Sequence, residues 1–297
     1  MTSRASIATH KQLIIGLPET GKTTFLAALW HVVASREVSN SLRLTRLDGD
    51  RKHLNKIRKA WLEFREVGRT VQTTEQLVTM RLSVAGGTES VELIFPDMDG
   101  ESFRQQWVDR KWTKEYDDLV SEADGILLFV HSMKAVGPDR IDPSIDEAVS
   151  VLGDEEDLAE DATAIDYEAS LPQWNSKDAP TQVQLVELLQ FIEHRRHDVS
   201  VLPIAVVVSA WDIIMTRYDS AEEWLSKRLP LLDQYLKANI ERFPSRVYGI
   251  SAQGAPLDGD VADLQRHEHQ SDRIIVVGEG CEPHDITAPV KWVMETE

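Results

Sequence analysis

Cysteine is almost missing from this sequence. Cys281 stands alone among 297 residues, so no disulfide can form within the chain and a reducing, cytoplasmic setting is the expectation. Basic residues are also scarce: 32 Lys and Arg face 50 Asp and Glu, a formal charge of −18. Each phosphate contact needs local positive charge, so this deficit argues against nucleic acid or an anionic membrane as the main partner. Long apolar runs are absent. The longest are strand-sized, which predicts no membrane span. Residues 1–12 are polar and lack the apolar core of a secretory signal.

What is present fits an ordinary globular chain, with 42% hydrophobic and 28% charged residues. Strand-like and helical patterns alternate. Residues 11–15 lead into Gly16, and the helical stretch 22–34 carries Phe25, Leu26, Leu29, Val32 and Val33. Residues 41–47 alternate as a short strand, and 51–67 read as an amphipathic helix with Leu54, Ile57, Trp61, Leu62 and Phe64. Residues 77–85 and 91–95, separated by Gly86-Gly87, read as an antiparallel hairpin. Continuous apolar runs at 125–131 and 202–209 predict strands buried on both faces, and 246–250 is a further strand. The expected fold is α/β: three layers built on a mostly parallel sheet, with surface insertions.

Two segments interrupt the alternation. Residues 139–168 hold twelve acids and one base, Arg140, and read as a solvated insertion or a docking surface for a basic partner. Residues 255–270 are polar and mixed and read as a long surface loop. The expected organisation is one domain, 1–297, carrying an acidic insertion at 135–180 and a polar insertion at 255–282.

The motif Gly16-Leu17-Pro18-Glu19-Thr20-Gly21-Lys22-Thr23 matches G-x-x-x-x-G-K-[ST] between a strand and a helix. Its glycines permit a tight ring whose N–H groups face phosphate oxygens, and the helix adds its positive dipole end. Gly16, Pro18, Glu19, Thr20, Gly21, Lys22, Thr23 and Thr24 are the expected phosphate-binding residues. Lys22 would reach the terminal phosphates and Thr23 would give a hydroxyl to Mg²⁺. Glu19 is expected to contribute its backbone while its side chain points to solvent.

After the strand at 91–95 comes Pro96-Asp97-Met98-Asp99-Gly100-Glu101. An Asp-x-x-Gly there puts a carboxylate, Asp97, near the metal and the Gly100 amide near the γ-phosphate. Further on, Ser209-Ala210-Trp211-Asp212 follows an apolar strand. GTPases usually carry Asn-Lys-x-Asp at this point, the Asp accepting two hydrogen bonds that guanine offers and adenine does not. Asp212 fits that role, or it caps the next helix. Ser209 and Ala210 depart from the usual Asn and Lys. Ser251-Ala252 would contact the guanine carbonyl after the last strand.

A switch Thr for Mg²⁺ is expected before residue 77. Thr70, Thr73 and Thr74 are the candidates, with Thr74 preferred. Glu101 follows the Asp-x-x-Gly where many GTPases have Gln; it would position water yet repel the γ-phosphate, which predicts slow turnover. Gln105 and Gln106 are reserves, and Arg69 and Arg104 lie near the switches.

The segments 16–29, 96–103, 209–212 and 285–292 resemble the translation-factor-like (TRAFAC) GTPases. More narrowly they resemble the bacterial double-GTPases, encoded as pairs in conflict and defence operons. The segment Asp285-Ile286-Thr287-Ala288-Pro289-Val290-Lys291-Trp292 carries the narrower likeness. The resemblance implies a GTPase fold, GTP with Mg²⁺ as ligand, GDP as product, and protein partners encoded nearby, a second GTPase or an associated effector. Three activities stay open: a slow GTPase switch, a degenerate scaffold that holds nucleotide, or an ATPase if Asp212 does not read guanine.

Overall fold

The computed structural model describes residues 9–39, 41–67, 77–85, 87, 89–96, 107–137, 179–196, 201–256 and 268–296. Eight strands form one sheet. They are β1 (Thr9–Gly16), β2 (Arg43–Asp48), β3 (Val78–Ser83), β4 (Ser90–Phe95), β5 (Gly125–His131), β6 (Ile204–Ser209), β7 (Ser245–Ser251) and β8 (Ile275–Val277). Their spatial order is β2-β3-β4-β1-β5-β6-β7-β8. The pairs from β4 through β7 are parallel, while β2–β3, β3–β4 and β7–β8 are antiparallel.

The alternation of side chains along each strand divides the core in two. On β5, Leu127 and Phe129 face a layer made by α1 (Lys22–Ser35), α2 (Arg51–Leu62) and α7 (Ala288–Glu295). Ile126, Leu128 and Val130 face the opposite layer, made by α3 (Lys114–Glu122), α4 (Thr181–Arg195), α5 (Ala221–Arg228) and α6 (Pro230–Ala238). A strand covered on both faces must be apolar at every position, which is why β5 and β6 read as unbroken hydrophobic runs. The chain is a three-layer α/β fold of the P-loop type, as the strand–helix alternation predicts. By contrast, β3 alternates buried and half-buried residues, and the edge strand β2 is largely exposed.

Two boundaries differ from the sequence expectation. The helix expected over 51–67 ends at Leu62, because Phe64 takes a left-handed φ of 51° that no helix can continue through. The stretch 255–282, expected as a polar insertion, supplies strand β8 and the fully buried Ser271 and Arg273. The strand itself is apolar, Ile275-Val276-Val277, with Val276 on one core layer and Ile275 and Val277 against the other. At the acidic insertion, Val136 and Thr181 exchange two hydrogen bonds, Thr181 N to Val136 O at 3.0 Å and Val136 N to Thr181 Oγ1 at 2.9 Å. The chain thus departs and returns at one point; residues 138–178 lie outside the described residues. Among the described residues no helix is long and apolar enough to cross a membrane.

The sheet order also locates a crevice. β1 sits between β4 and β5, with α1 packing on one face and α3 on the other. In open α/β sheets the carboxyl end of such a strand is where the chain diverges to both sides, and ligands bind there.

Candidate phosphate and base site

The loop between β1 and α1 fills that crevice. Gly16 is confined by the neighbouring strand: a Cβ there would stand 2.5 Å from the Phe129 carbonyl oxygen. Gly21, at φ 85°, begins α1 in a left-handed conformation, and a Cβ on it would be 3.0 Å from Ser209 Oγ. Glu19 is also left-handed, at φ 60°. α1 starts with no side-chain cap and no acid in its first turn. Its first amide groups are therefore available to an anion and meet no competing carboxylate.

Lys22 occupies the loop's interior. Its Nζ donates to the carbonyl oxygens of Gly16 (2.7 Å) and Leu17 (2.8 Å) and lies 3.3 Å from Thr20 Oγ1. Burial of this ammonium lowers its pKa to about 8. Buried Thr20 donates its hydroxyl to Leu17 O at 2.8 Å, tightening the ring. Pro18, Thr23 and Thr24 are half-buried, the two threonines in the first turn of α1. The Glu19 side chain does not simply point to solvent: its carboxylate pairs with Lys134 Nζ at 2.7 Å.

The base side is built from the ends of β6 and β7. Ser209 Oγ is buried and has no hydrogen-bond partner among the described residues. Ala210 follows at a left-handed φ of 53° and opens a 3-10 turn, Trp211–Ile213. Trp211 is buried over Gly249, where a Cβ would approach its ring to 2.5 Å. The missing side chain of Gly249 is thus what seats the indole. Asp212 is half-buried; burial raises its pKa, and a hydrogen bond from Ser251 works in the opposite direction. Asp212 does not cap the next helix. Ser220 does so for α5, accepting from Glu223 N at 3.1 Å.

Ser251 and Ala252 close the site from β7. Ser251 Oγ accepts from Gly254 N at 2.9 Å, and Ala252 O accepts from Trp61 Nε1 at 2.7 Å. Trp61 O in turn accepts from Arg273 Nη2 at 2.6 Å and from Gln253 Nε2 at 3.3 Å. The Arg273 guanidinium lies 3.7 Å from the Trp61 ring centroid and 4.0 Å from that of Phe64. Burial depresses its pKa to about 10. Sequence reasoning missed this support. Trp61 reads only as an apolar position of a helix, and no local pattern distinguishes a buried arginine from a surface one.

Asp97, Gly100, Glu101 and Thr74 lie outside the described residues, as do Thr70, Thr73, Gln105, Gln106, Arg69 and Arg104. β4 pairs with β1 in parallel, Ile94 beside Leu13, so the chain enters 97–106 from the phosphate-loop end of the sheet. Hydroxyl and carboxylate oxygens are the hard donors Mg²⁺ takes, and Thr23 is the described member of the expected set Thr23, Asp97 and Thr74. Among the described residues no cluster of three or more His, Cys, Asp or Glu could hold a metal.

The segment 285–292 has a packing role. Asp285 is fully buried, accepts from Thr287 N (3.0 Å) and Thr287 Oγ1 (2.6 Å), and forms an ion pair with Lys291. Leu42 N donates to Thr287 Oγ1 at 3.1 Å, and Gln12 Nε2 to Val290 O at 2.9 Å. These bonds fasten α7 to β1 and to the start of β2.

A family model described as Double-GTPase 1 matches residues 13–293. No curated protein matches the sequence. Among solved structures, the chain is similar to the Saccharomyces cerevisiae Ski7 GTPase-like domain bound to GTP, at 12% identity and TM-score 0.46, covering 97% of this chain and 50% of that one. The bacterial selenocysteine-specific elongation factor EF-Sec matches at 13% identity and TM-score 0.38, with 82% and 25% covered. Sup35 complexed with GDP matches at 12% identity and TM-score 0.35, with 84% and 39% covered. This chain thus spans about half the length of the Ski7 chain or less of the others. Likenesses at this level do not decide the fold; the sheet order and phosphate loop do.

Proposed function

The chain belongs to the Double-GTPase 1 family, and from that premise we propose that it binds GTP with Mg²⁺, hydrolyses it slowly, and acts as a switch toward protein partners. One observation carries the proposal: the loop holding Lys22 and the turn holding Asp212 stand at the same sheet end, Gly21 against Ser209. A phosphate cradle and a carboxylate for the base, so joined, suit a guanine nucleotide.

On binding, Lys22 exchanges the loop carbonyls for phosphate oxygens, while the amides of 16–24 surround the phosphates. Asp212 accepts the ring and exocyclic N–H groups of guanine. Adenine offers no such donor pair, and its ring nitrogen would face the carboxylate with a lone pair. Ser251 hydrogen-bonds that carboxylate and offsets part of the pKa rise that burial causes, and Ala252 is fixed by Trp61. Thr23, Asp97 and Thr74 would hold Mg²⁺, which would supply charge neutralisation at the phosphate oxygens. Glu101 orients the attacking water, but its charge opposes the γ-phosphate, so turnover is slow and open to activation by a partner. Gly100 senses the γ-phosphate through its amide. A protein encoded nearby, a second GTPase or an effector in a bacterial defence system, is the expected partner, in the cytoplasm.

A second reading is favoured by Ala210. With no lysine there, the chain could hold nucleotide as a silent half of a GTPase pair. Titration calorimetry with Mg²⁺ and GTP, GDP, ATP or ADP separates the readings when joined to single-turnover hydrolysis. The switch reading requires guanine preference that Asp212→Asn abolishes, binding that Lys22→Ala abolishes, and slow hydrolysis that Glu101→Ala changes. Guanine binding without any hydrolysis favours the silent half, and adenine preference makes the chain an ATPase.

A further inference from the structure

We propose that Lys134 supports nucleotide binding through Glu19, by offsetting the negative charge that this acid brings into the phosphate loop. The proposal rests on the GTP-binding reading above and adds to it a residue outside both motifs. β5 lies between β1 and β6, so the residues that follow it stand between the phosphate loop and the turn at 209–212. They bond in both directions. Ser132, buried, donates its backbone N–H to Ser209 O at 3.1 Å and its hydroxyl to Ala210 O at 2.9 Å. Two residues on, Lys134 Nζ reaches the Glu19 carboxylate at 2.7 Å.

The arrangement has an electrostatic purpose. Glu19 is an acid inside a loop shaped for phosphate, held at a left-handed φ of 60°. Unpaired, its charge would repel the ligand. Ala210 carries no charge to offset it, whereas Lys134 neutralises it and ties it to the strand end that also holds Ser209 and Ala210. The two side chains are 55% and 39% exposed. Surface pairs of this kind add little to folding stability, so the contribution falls on the charge that the ligand meets.

The test is calorimetric titration of the whole chain with Mg²⁺ and GDP or GTP, comparing native protein with Lys134→Gln, Glu19→Gln and the double variant, each with its melting temperature. Lys134→Gln is expected to weaken both nucleotides about three- to tenfold near 0.05 M salt, because the site then carries one positive charge fewer. Melting is expected to stay unchanged. Adding Glu19→Gln restores the affinity to within about twofold, and the loss shrinks at about 0.5 M salt. If Lys134→Gln binds like native protein, or if the double variant stays as weak as Lys134→Gln alone, the proposal is overturned while the GTP reading stands. Native protein that binds neither nucleotide overturns that reading and this proposal together.

Discussion

Raising the pH should weaken nucleotide binding through Lys22, by an amount that its pKa in the free protein sets. In the free protein the Lys22 ammonium sits among carbonyl oxygens of its own loop, and burial lowers its pKa to about 8. Bound phosphate places negative charge beside it and raises that pKa well above its free value. The bound state therefore holds a proton that the free state begins to lose near pH 8, and affinity falls as pH rises through that value. From about pH 7.5 to about pH 9, the protonated fraction of free Lys22 drops from about three-quarters to about one-tenth. Affinity should fall about eightfold, close to 1 kcal/mol. The last phosphate proton is lost near pH 6, so the charge on the GDP phosphates changes little across this window. Calorimetry with Mg²⁺ and GDP in two buffers of different ionisation enthalpy measures the protons taken up. The expectation is about 0.2 proton near pH 7.5 and about 0.9 near pH 9. Uptake that is absent at the higher pH, or an affinity flat across the range, would refute the reasoning.

Three further outcomes follow from the packing around the site. Gly249→Ala drives a methyl into the Trp211 ring, 2.5 Å from Cδ2, and overpacking of this sort costs about 1–3 kcal/mol; guanine affinity should fall while a melting scan shows a folded protein. Retained affinity would mean that Trp211 does not position Asp212. Trp61→Phe strips Ala252 O of its 2.7 Å donor, which should cost about 1–3 kcal/mol in urea unfolding and reduce GTP more than it reduces inorganic pyrophosphate in competition titrations. Asp285→Asn breaks the buried pair with Lys291 and should lower stability by about 3 kcal/mol. Nucleotide affinity of the folded protein should stay unchanged; a selective loss of affinity would give 285–292 a role beyond packing.

Much of the fold is written in short-range pattern. A central strand buried on both faces has no polar position to spare, so β5 and β6 declare themselves. The glycine-bounded loop before α1 does so as well, because its conformation depends on which residues lack a Cβ. Element ends were less legible: Phe64 stops α2 by a backbone turn that its side-chain type does not advertise. β8 is hard to read because three residues are too few for a strand period to show, although they pack against both core layers.

By itself, then, the amino-acid order determined the alternation of strands and helices, the phosphate loop with Lys22, and Asp212 at a strand end. Each depends on neighbours within a few residues. Only the folded arrangement decided what braces them: Lys134 on Glu19 across 115 positions, Trp61 on Ala252 across 191, and Thr287 on Leu42 across 245. Such bonds depend on where the sheet order brings distant chain ends together. No periodicity along the chain encodes that distance.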